Sequence, residues 1–365
     1  MNLLYSDVED QLRASVADLL ADRAQPASIL ARCETDKPHD LDLWRTLTAE
    51  LGAGSLHVPE SLGGQGASAR EVAVVLEELG RTVAPVPFLG SAVLATTALL
   101  GCEPADGELL GALGSGRTVG ALAVSLATAP GSAFPSTVEY TDGVLRGRVR
   151  SVADAAAADV LVVPAVGVDG PTLHTVRVDQ AQVTVTPAVS LDLTRPIADV
   201  TFDGAASTRL TGDPESALDG ALWTAAALLA SEQVGVADWC LTTTVAYLKD
   251  RHQFGRPVGS FQALKHRLAD LFGELALARA AARNAADAVG GPEERVAALL
   301  ANSLCSTVAV HAAEECVQLH GGIGMTWEHP AHLYLKRAKA DQIALGTPGQ
   351  HRRLLAPLVD LPAPR

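Results

Sequence analysis

Hydrophobic positions recur at helical spacing through the first part of the chain. In the segment 7–20, one predicted helix face carries Val8, Leu12, Val16, Leu19 and Leu20. The segments 41–51 and 69–79 repeat this spacing, which is typical of helices that bury one face. One proline and three glycines in the segment 57–66 indicate a loop between the first two of these helices and the third. The pattern predicts an N-terminal helical domain over residues 1–115.

The pattern changes after Thr118, where short runs of β-branched residues alternate with turn residues. The runs are 138–140, 144–149, 160–163, 172–178 and 183–185. Glycine, aspartate and proline separate them at intervals of about ten residues, as in barrels and sandwiches. We therefore expect a central β-barrel or β-sandwich domain over residues 116–211.

Helical spacing returns after residue 212 and continues to the end of the chain. The long segments 216–247, 261–288 and 293–320 are followed by a shorter helical stretch, 332–358. Long helices with short links predict a four-helix bundle over residues 212–365. The whole chain is therefore α+β, and its order of elements excludes the alternating Rossmann and TIM-barrel architectures.

Composition and charge narrow the classes of function. Of 365 residues, 28 are basic and 42 acidic, so the formal charge of −14 argues against a nucleic-acid partner. One local basic pocket would still suffice for an anionic ligand. The five cysteines are scattered without a CxxC pair, which predicts reduced, buried thiols and no metal site. We expect a cytoplasmic protein, because we find neither a secretory signal nor an apolar run that approaches membrane-spanning length.

Two motifs in the last third of the chain carry a resemblance to a known family. The stretches 247–262 (YLKDRHQFGRPVGSFQ) and 318–326 (QLHGGIGMT) resemble signatures of the acyl-CoA dehydrogenase family. Trp44 with 58–60, the stretch 191–195 (LDLTR) and 202–205 (FDGA) look similar to the same family. The resemblance covers nearly the whole chain in the same order, and it implies that family's helix–sheet–helix fold.

The resemblance also implies an activity and a cofactor. Family members dehydrogenate an acyl-CoA thioester: a glutamate removes the α-proton while the flavin of FAD takes a hydride from the β-carbon. They are typically tetramers in which a neighbouring subunit holds the ADP half of each FAD. The positions of this chain that match cofactor-contacting positions are Arg251, Phe254, Gln262, Gln318, Gly321, Gly322 and Thr347. A guanidinium suits the pyrophosphate, and glycines allow close approach of the backbone.

Two of these assignments have simpler alternatives. Arg251 could form an ordinary salt bridge with Asp250 or with a neighbouring helix. Gly321 and Gly322 could serve only as a helix C-cap, although capping and cofactor contact are compatible.

The chain departs from the family where the catalytic base is expected. The family's Tyr-Glu-Gly-Thr turn corresponds here to 343–347, with Leu345 at the glutamate position, so no catalytic residue is assigned in this chain. Some members carry the base on the first bundle helix, where this chain has Ala225 and Ala226. The first carboxylate after these positions, Glu232, lies seven residues after Ala225, about 10 Å along a helix. We interpret Glu232 as a structural polar residue of the bundle.

The stretches expected beside the flavin ring are also altered. Residues 123–132 (AVSLATAPGS) and 150–154 (RSVAD) lack the acidic, glycine-rich and tryptophan pattern of full members. We expect the four tryptophans to belong to helix cores, with Trp44 in the first helices and Trp223, Trp239 and Trp327 in the bundle.

The chain therefore keeps the positions that match the ADP-binding half of the family's site, and it lacks the catalytic glutamate and the stretches beside the flavin ring. This combination resembles the base-less subunit of heteromeric α2β2 acyl-CoA dehydrogenases of the actinobacterial type that acts on steroid or other bulky CoA esters. The implied partners are an acyl-CoA substrate, a homologous subunit with the glutamate, and an electron-transfer flavoprotein or similar acceptor. A non-catalytic scaffold protein and a homotetramer with a displaced base are the alternatives.

Overall fold

The N-terminal part of the computed structural model, which describes residues 3–361, is helical as predicted. Its helices are α1 (Asp7–Arg23), α2 (Pro26–Cys33), α3 (Leu41–Ala49), α4 (Ala69–Thr82), α5 (Thr96–Leu100) and α6 (Gly107–Gly114). Two 3₁₀ turns (Ala53–Ser55 and Glu60–Leu62) and a π-helical stretch (Phe88–Ala95) connect them. Helices α1 and α4 begin with capping boxes, in which Ser6 and Ser68 pair with Glu9 and Glu71.

The central part forms one mixed sheet of eight strands. The strands are β1 (Gly120–Leu122), β2 (Val138–Thr141), β3 (Val144–Ala153), β4 (Val160–Gly167), β5 (Gly170–Arg177), β6 (Val183–Pro187), β7 (Ile197–Ala206) and β8 (Thr208–Arg209). Their order is β6-β7-β3-β2-β4-β5-β8, and β1 pairs in parallel with β4. The register between β3 and β7 shifts between Val149 and Val152, which marks a bulge at the start of the 150–154 stretch.

The C-terminal part is the predicted helical bundle. Its helices are α7 (Pro214–Asp250), α8 (Gln262–Ala288), α9 (Glu294–Leu319), α10 (Ala331–Asp341) and α11 (Pro348–Leu358). A two-stranded hairpin, β9 (His252–Gln253) and β10 (Arg256–Pro257), joins α7 to α8. The last predicted helical stretch is divided into α10 and α11, because Leu345 and Gly346 both have positive φ.

The buried apolar side chains form two cores that differ from the three segments of the sequence. One core runs through both helical parts and includes Trp44, Leu76, Leu229 and Leu299. The other lies in the sheet and includes Phe202. The N-terminal helices and the bundle therefore pack together although the strands separate them in the chain. All five cysteines are buried and free, as predicted.

Helix α9 corrects one sequence interpretation. In the part of the chain that the structure describes, it is the one helix long and apolar enough to cross a membrane by length and composition. Because 72% of its most apolar window is buried inside the protein, we assign it as the central helix of the bundle. The sequence shows no long uninterrupted apolar run in α9, since Asn302 and Ser303 interrupt it, although both side chains are buried.

Helices α4 and α7 cross with their backbones almost in contact. A Cβ atom added at Gly235 would lie 1.9 Å from the carbonyl oxygen of Glu77. One added at Gly80 would lie 2.1 Å from the carbonyl oxygen of Glu232. Glycine at both positions is therefore a packing requirement that fixes the N-terminal helices on the bundle.

We expect Gly235→Ala to destabilise the fold by about 1–3 kcal/mol or more, because overpacking at a rigid backbone contact forces the helices apart. Denaturant unfolding of the full chain measures this change. Gly273→Ala on α8 is the matched control, since a Cβ there meets nothing within 4 Å. The control should gain up to about 1 kcal/mol from helix propensity. Equal effects of the two substitutions would contradict the packing argument.

Candidate functional site

Phe254 lies at the tip of the β9–β10 hairpin in a costly conformation. Its φ of 54° and the 73° of Gly255 place two consecutive residues in the left-handed region. The Phe254 side chain is 91% exposed and contacts Phe261 edge-to-face, with ring centroids 6.2 Å apart. Neither burial nor helix capping explains a strained, exposed aromatic residue, and such strain is a feature of binding sites.

Arg251 follows the last residue of α7 and has extended backbone angles that end the helix. Its side chain is exposed, and within residues 3–361 it forms no ion pair. The alternative salt bridge with Asp250 is therefore not formed. The main-chain carbonyl of Arg251 accepts a hydrogen bond from Val258 N–H at 2.7 Å, which fixes the base of the hairpin. The guanidinium remains available to an anion.

Gln262 is the first residue of α8 and is exposed. Phe261, the residue at the N-cap, gives no side-chain cap to the helix. Arg256 stacks on the ring of Phe261, with its guanidinium carbon 3.9 Å from the ring centroid. The start of α8 thus presents polar and aromatic groups next to the hairpin.

The end of α9 lies at the same end of the bundle. Tyr247, near the end of α7, stacks on His320 with ring centroids 4.5 Å apart. Gln318 is exposed on the last turn of α9. This contact joins the end of α7, four residues before Arg251, to His320 in the 318–322 segment. That the 251–262 and 318–322 segments form one cofactor site stays a prediction.

The glycines after α9 differ in how closely other atoms approach the position of an added Cβ. A Cβ at Gly324 would lie 2.4 Å from the carbonyl oxygen of Val317, so Gly324 is needed for packing. A Cβ at Gly321 or Gly322 would meet nothing within 4 Å. Gly321 has a φ of 62°, consistent with a helix-ending role. The open space beside both residues fits the close approach of a ligand to the backbone, and no contact within the described residues requires glycine at either position.

Thr347 belongs to a different group of contacts. It is the N-cap of α11, and its hydroxyl accepts a hydrogen bond from Gln350 N–H at 3.3 Å. The preceding Gly346 lies against the β-domain, where an added Cβ would be 2.9 Å from the Cβ of Ala129. Thr347 thus lies beside the 123–132 stretch and makes no contact, in the described part of the chain, with the Arg251 group. Its role in cofactor binding stays a prediction.

Leu345, at the position where a catalytic glutamate was expected, lies in a buried turn with a strained backbone. It is fully buried, has a φ of 54°, and donates its N–H to the carbonyl oxygen of Leu126 at 2.7 Å. A leucine with positive φ is a rare and strained conformation. The backbone of the turn is therefore held by its surroundings, while its side chain cannot accept a proton.

The stretches expected beside a flavin ring line a cleft of about 560 Å³. The wall of the cleft includes Val124, Ser125, Thr128 and Arg150, and it has no aromatic side chain. Asp154, at the end of the second stretch, is buried and accepts hydrogen bonds from His39 at 3.0 Å and Gly90 N–H at 3.1 Å. The cleft therefore lacks both an acid–base group and a surface for ring stacking.

Glu232 is structural, as predicted, and its surroundings are more highly charged than the sequence indicated. It is 1% exposed and binds two guanidiniums, those of Arg195 and of Arg337, the latter at 2.7 Å. Burial alone raises the pKa of Glu232, but the two arginines outweigh burial and hold it below its usual value. Arg195 belongs to the 191–195 motif. No motif or spacing in the sequence indicated that Arg337 and Asp341 of α10 complete a charged cluster around it.

The tryptophans follow the prediction with one exception. Trp44 and Trp223 are buried, and Trp239 stacks on Tyr334 with centroids 3.5 Å apart. Trp327 lies in the loop after α9 and is 44% exposed, so its assignment to a helix core was wrong. Its indole donates to the carboxylate of Glu34 at 2.7 Å and so ties this loop to the N-terminal helices.

Comparison with known proteins agrees with this geometry over nearly the whole chain. Residues 6–116 match the family described as acyl-CoA dehydrogenase, N-terminal domain, and residues 217–358 match its C-terminal domain. Acyl-CoA dehydrogenase IpdE2 of Mycolicibacterium smegmatis is 39% identical over 350 residues, covering 96% of this chain and 98% of that protein.

Two solved structures share the fold along their full length. A variant of the Tcur3481-Tcur3483 steroid ACAD has 29% identity and a TM-score of 0.86, covering 97% of this chain and 98% of that one. The ChsE4-ChsE5 complex from Mycobacterium tuberculosis has 28% identity and a TM-score of 0.87, covering all of both chains.

Proposed function

Because the chain belongs to the acyl-CoA dehydrogenase family, whose activity is FAD-dependent oxidation, we propose that it is the base-less subunit of a heteromeric enzyme. In this proposal it holds the ADP part of FAD across a subunit interface. A homologous partner subunit supplies the catalytic glutamate and the flavin-ring contacts. When bound, FAD supplies the hydride acceptor for dehydrogenation of the acyl-CoA.

The observation that carries the proposal is the turn at Leu345. Its backbone adopts positive φ and is fixed by the hydrogen bond to Leu126, as a precise positioning role would demand. Its side chain has no proton acceptor, and general-base catalysis needs one within hydrogen-bond reach of the proton. Glu232, the first carboxylate on α7 after Ala225 and Ala226, is enclosed by two arginines, which argues against Glu232 as the displaced base of a homotetramer.

The residues for the ADP part fit an anionic dinucleotide. Arg251 offers an exposed guanidinium, Phe254 offers an exposed ring, and Gly321 and Gly322 leave space beside the backbone. Charge-assisted hydrogen bonds from arginine are well suited to phosphate oxygens. All four residues face outward from the bundle, which suits a cofactor held mainly by another subunit.

The printed descriptions of two related structures support the proposed substrate class. Since one related structure is described as a steroid ACAD and another as a two-component complex, we infer a bulky acyl-CoA such as a steroid side-chain ester. We place the enzyme in the cytoplasm, with an electron-transfer flavoprotein or a similar acceptor taking its electrons.

Expressed alone, the chain should be colourless or poorly soluble, because it lacks the flavin-ring contacts and exposes the face that a partner covers. Co-expressed with a homologue that carries the glutamate, it should yield a yellow complex with half as many flavins as polypeptide chains. Absorbance of the purified complex against total protein measures this ratio.

Leu345→Glu in the lone chain is the control, and it should stay inactive because a base without a flavin has no hydride acceptor. One flavin per chain in the lone protein would contradict the proposal. A complex that forms without retaining FAD would instead favour the scaffold alternative.

A further inference from the structure

Five buried charged side chains lie where the β-domain, α7 and α10 meet. This charge cluster consists of Asp192, Arg195, Glu232, Arg337 and Asp341, each between 1% and 7% exposed. Asp192 and Arg195 come from the connection between β6 and β7, Glu232 from α7, and Arg337 and Asp341 from α10. The cluster therefore links three elements that are far apart in the sequence.

The charges of the cluster do not balance if every carboxyl is ionised. Within the cluster three acids face two guanidiniums, and an uncompensated buried charge is costly. Lys336 on α10 also acts on Asp192, but it is only half-buried, its ammonium lies 4.2 Å from the centroid of the Trp327 ring, and it forms no ion pair with Asp192 within residues 3–361. Glu232 binds both arginines, and Asp192 binds Arg337 at 2.7 Å. Burial raises the pKa of each of these two acids, but the arginines outweigh it and hold both values below the usual range.

The neighbouring acid Asp154 does not change this balance. It is close enough to act on the charge of Arg195, but its own carboxylate is paired with His39 at 3.0 Å and with Gly90 N–H. Asp341 is therefore the acid left over after the pairs are assigned.

Two residues that contact each other each carry a buried acceptor atom without a donor in the described part of the chain. Asp341 Oδ1 accepts from Arg195 at 2.6 Å, whereas Asp341 Oδ2 has no partner within the described residues. Gln233, fully buried, donates its amide to the main-chain oxygen of Asp341 at 3.2 Å, and Gln233 Oε1 is also without a partner. A proton on Asp341 would turn Oδ2 from an unpaired acceptor into a donor and would make the five-residue cluster neutral.

We propose that Asp341 remains protonated in the folded protein and donates its hydroxyl hydrogen to Gln233 Oε1, as a positioning residue for the turn at Leu345. Asp341 ends α10 only four residues before Leu345. The neutral pair holds this end of α10 between α7 and the β-domain. The strained turn that follows can then keep its hydrogen bond to Leu126.

The pKa of Asp341 has the direction that this geometry requires. Burial, and then the negative charge of Glu232, raise it well above its usual value, against the opposing effect of Arg195 and Arg337. A raised folded-state pKa contributes stability that is fully present below the unfolded pKa of about 4. That contribution is lost as pH rises through the folded pKa, so the parent protein should lose it on the alkaline side.

Asp341→Asn tests the proposal, because asparagine keeps an oxygen for Arg195 and an N–H donor for Gln233. At pH 8, its Tm in the full chain should be no lower than that of the parent. The difference in Tm should shift in favour of the variant as pH rises from about 4. Asp203→Asn is the control, since Asp203 is an exposed acid paired with Arg146 and should show no such trend. A variant that becomes progressively less stable than the parent with rising pH would overturn the proposal.

Infrared spectroscopy supplies a second readout that a purely packing role would not change. The parent at pH 8 should show the carbonyl stretch of a protonated carboxyl group, and Asp341→Asn should remove it. Gln233→Met removes the acceptor, so this band should disappear at a lower pH than in the parent. If the parent shows no such band at pH 8, Asp341 is ionised and the proposal fails.

Discussion

Glu232→Gln is expected to destabilise the folded chain by about 3 kcal/mol, since removing one partner of a buried ion pair typically costs 3–5 kcal/mol. Glu232 binds Arg195 and Arg337 at once, and glutamine can neither neutralise them nor accept from both as strongly. Denaturant unfolding at pH 7 measures the loss. We place the expected loss of stability at the lower end of this range because Asp341 can release its proton and form an ion pair with Arg195.

The double variant Glu232→Gln with Asp341→Asn makes this compensation visible. It removes both carboxylates that face Arg195, so its cost should exceed the sum of the two single costs. Additive costs would show that the two carboxyls are independent. Turnover per folded molecule should be nearly unchanged in Glu232→Gln, because Glu232 is held by two arginines and is not the proposed base.

The pH dependence of the Glu232 contribution has the opposite sign to that of Asp341. A carboxyl with a lowered folded-state pKa stabilises the protein above its unfolded pKa and loses this effect as pH falls through the folded pKa. Glu232→Gln should therefore differ most from the parent near neutral pH. The difference should shrink on acidification below about pH 4.

Arg251→Ala is expected to lower FAD affinity of the heteromeric complex by roughly 10- to 150-fold, with assembly unchanged. A hydrogen bond to a charged group contributes about 1.5–3 kcal/mol, and each 1.4 kcal/mol is a factor of ten. Because Arg251 is exposed and forms no ion pair within residues 3–361, the fold should not need it. The FAD retained after dialysis measures the effect, and size-exclusion chromatography reports the assembly.

Lys249→Ala is the matched control for Arg251, because it removes an exposed positive charge two residues earlier. Lys249 lies in the last turn of α7, before the chain leaves the helix. A general effect of net charge would lower FAD retention equally in both variants. Retention unchanged in Arg251→Ala would mean that Arg251 does not contact the cofactor.

The sequence by itself determined the order of the elements and most of the helices. Helices α1, α4, α8 and α9 follow directly from apolar residues at a spacing of three and four, because each buries one face on a common core. The absence of a base at Leu345 also follows from the sequence, since a leucine side chain has no proton acceptor in any surroundings. The motifs assign Arg251 and Gly321 to one cofactor site, and this assignment stays a prediction; the packing of Tyr247 on His320 shows that the ends of α7 and α9 lie together.

Only the tertiary structure decided which distant side chains meet. Arg195 binds Asp341, 146 residues further along the chain, and Arg337 binds Glu232 across 105 residues. Such pairs leave no periodic signal, because each charged residue resembles a surface residue until the fold buries it. The exposed position of Trp327 and the single core shared by both helical parts were hidden for the same reason: burial is a property of the packed chain, which local spacing alone does not specify.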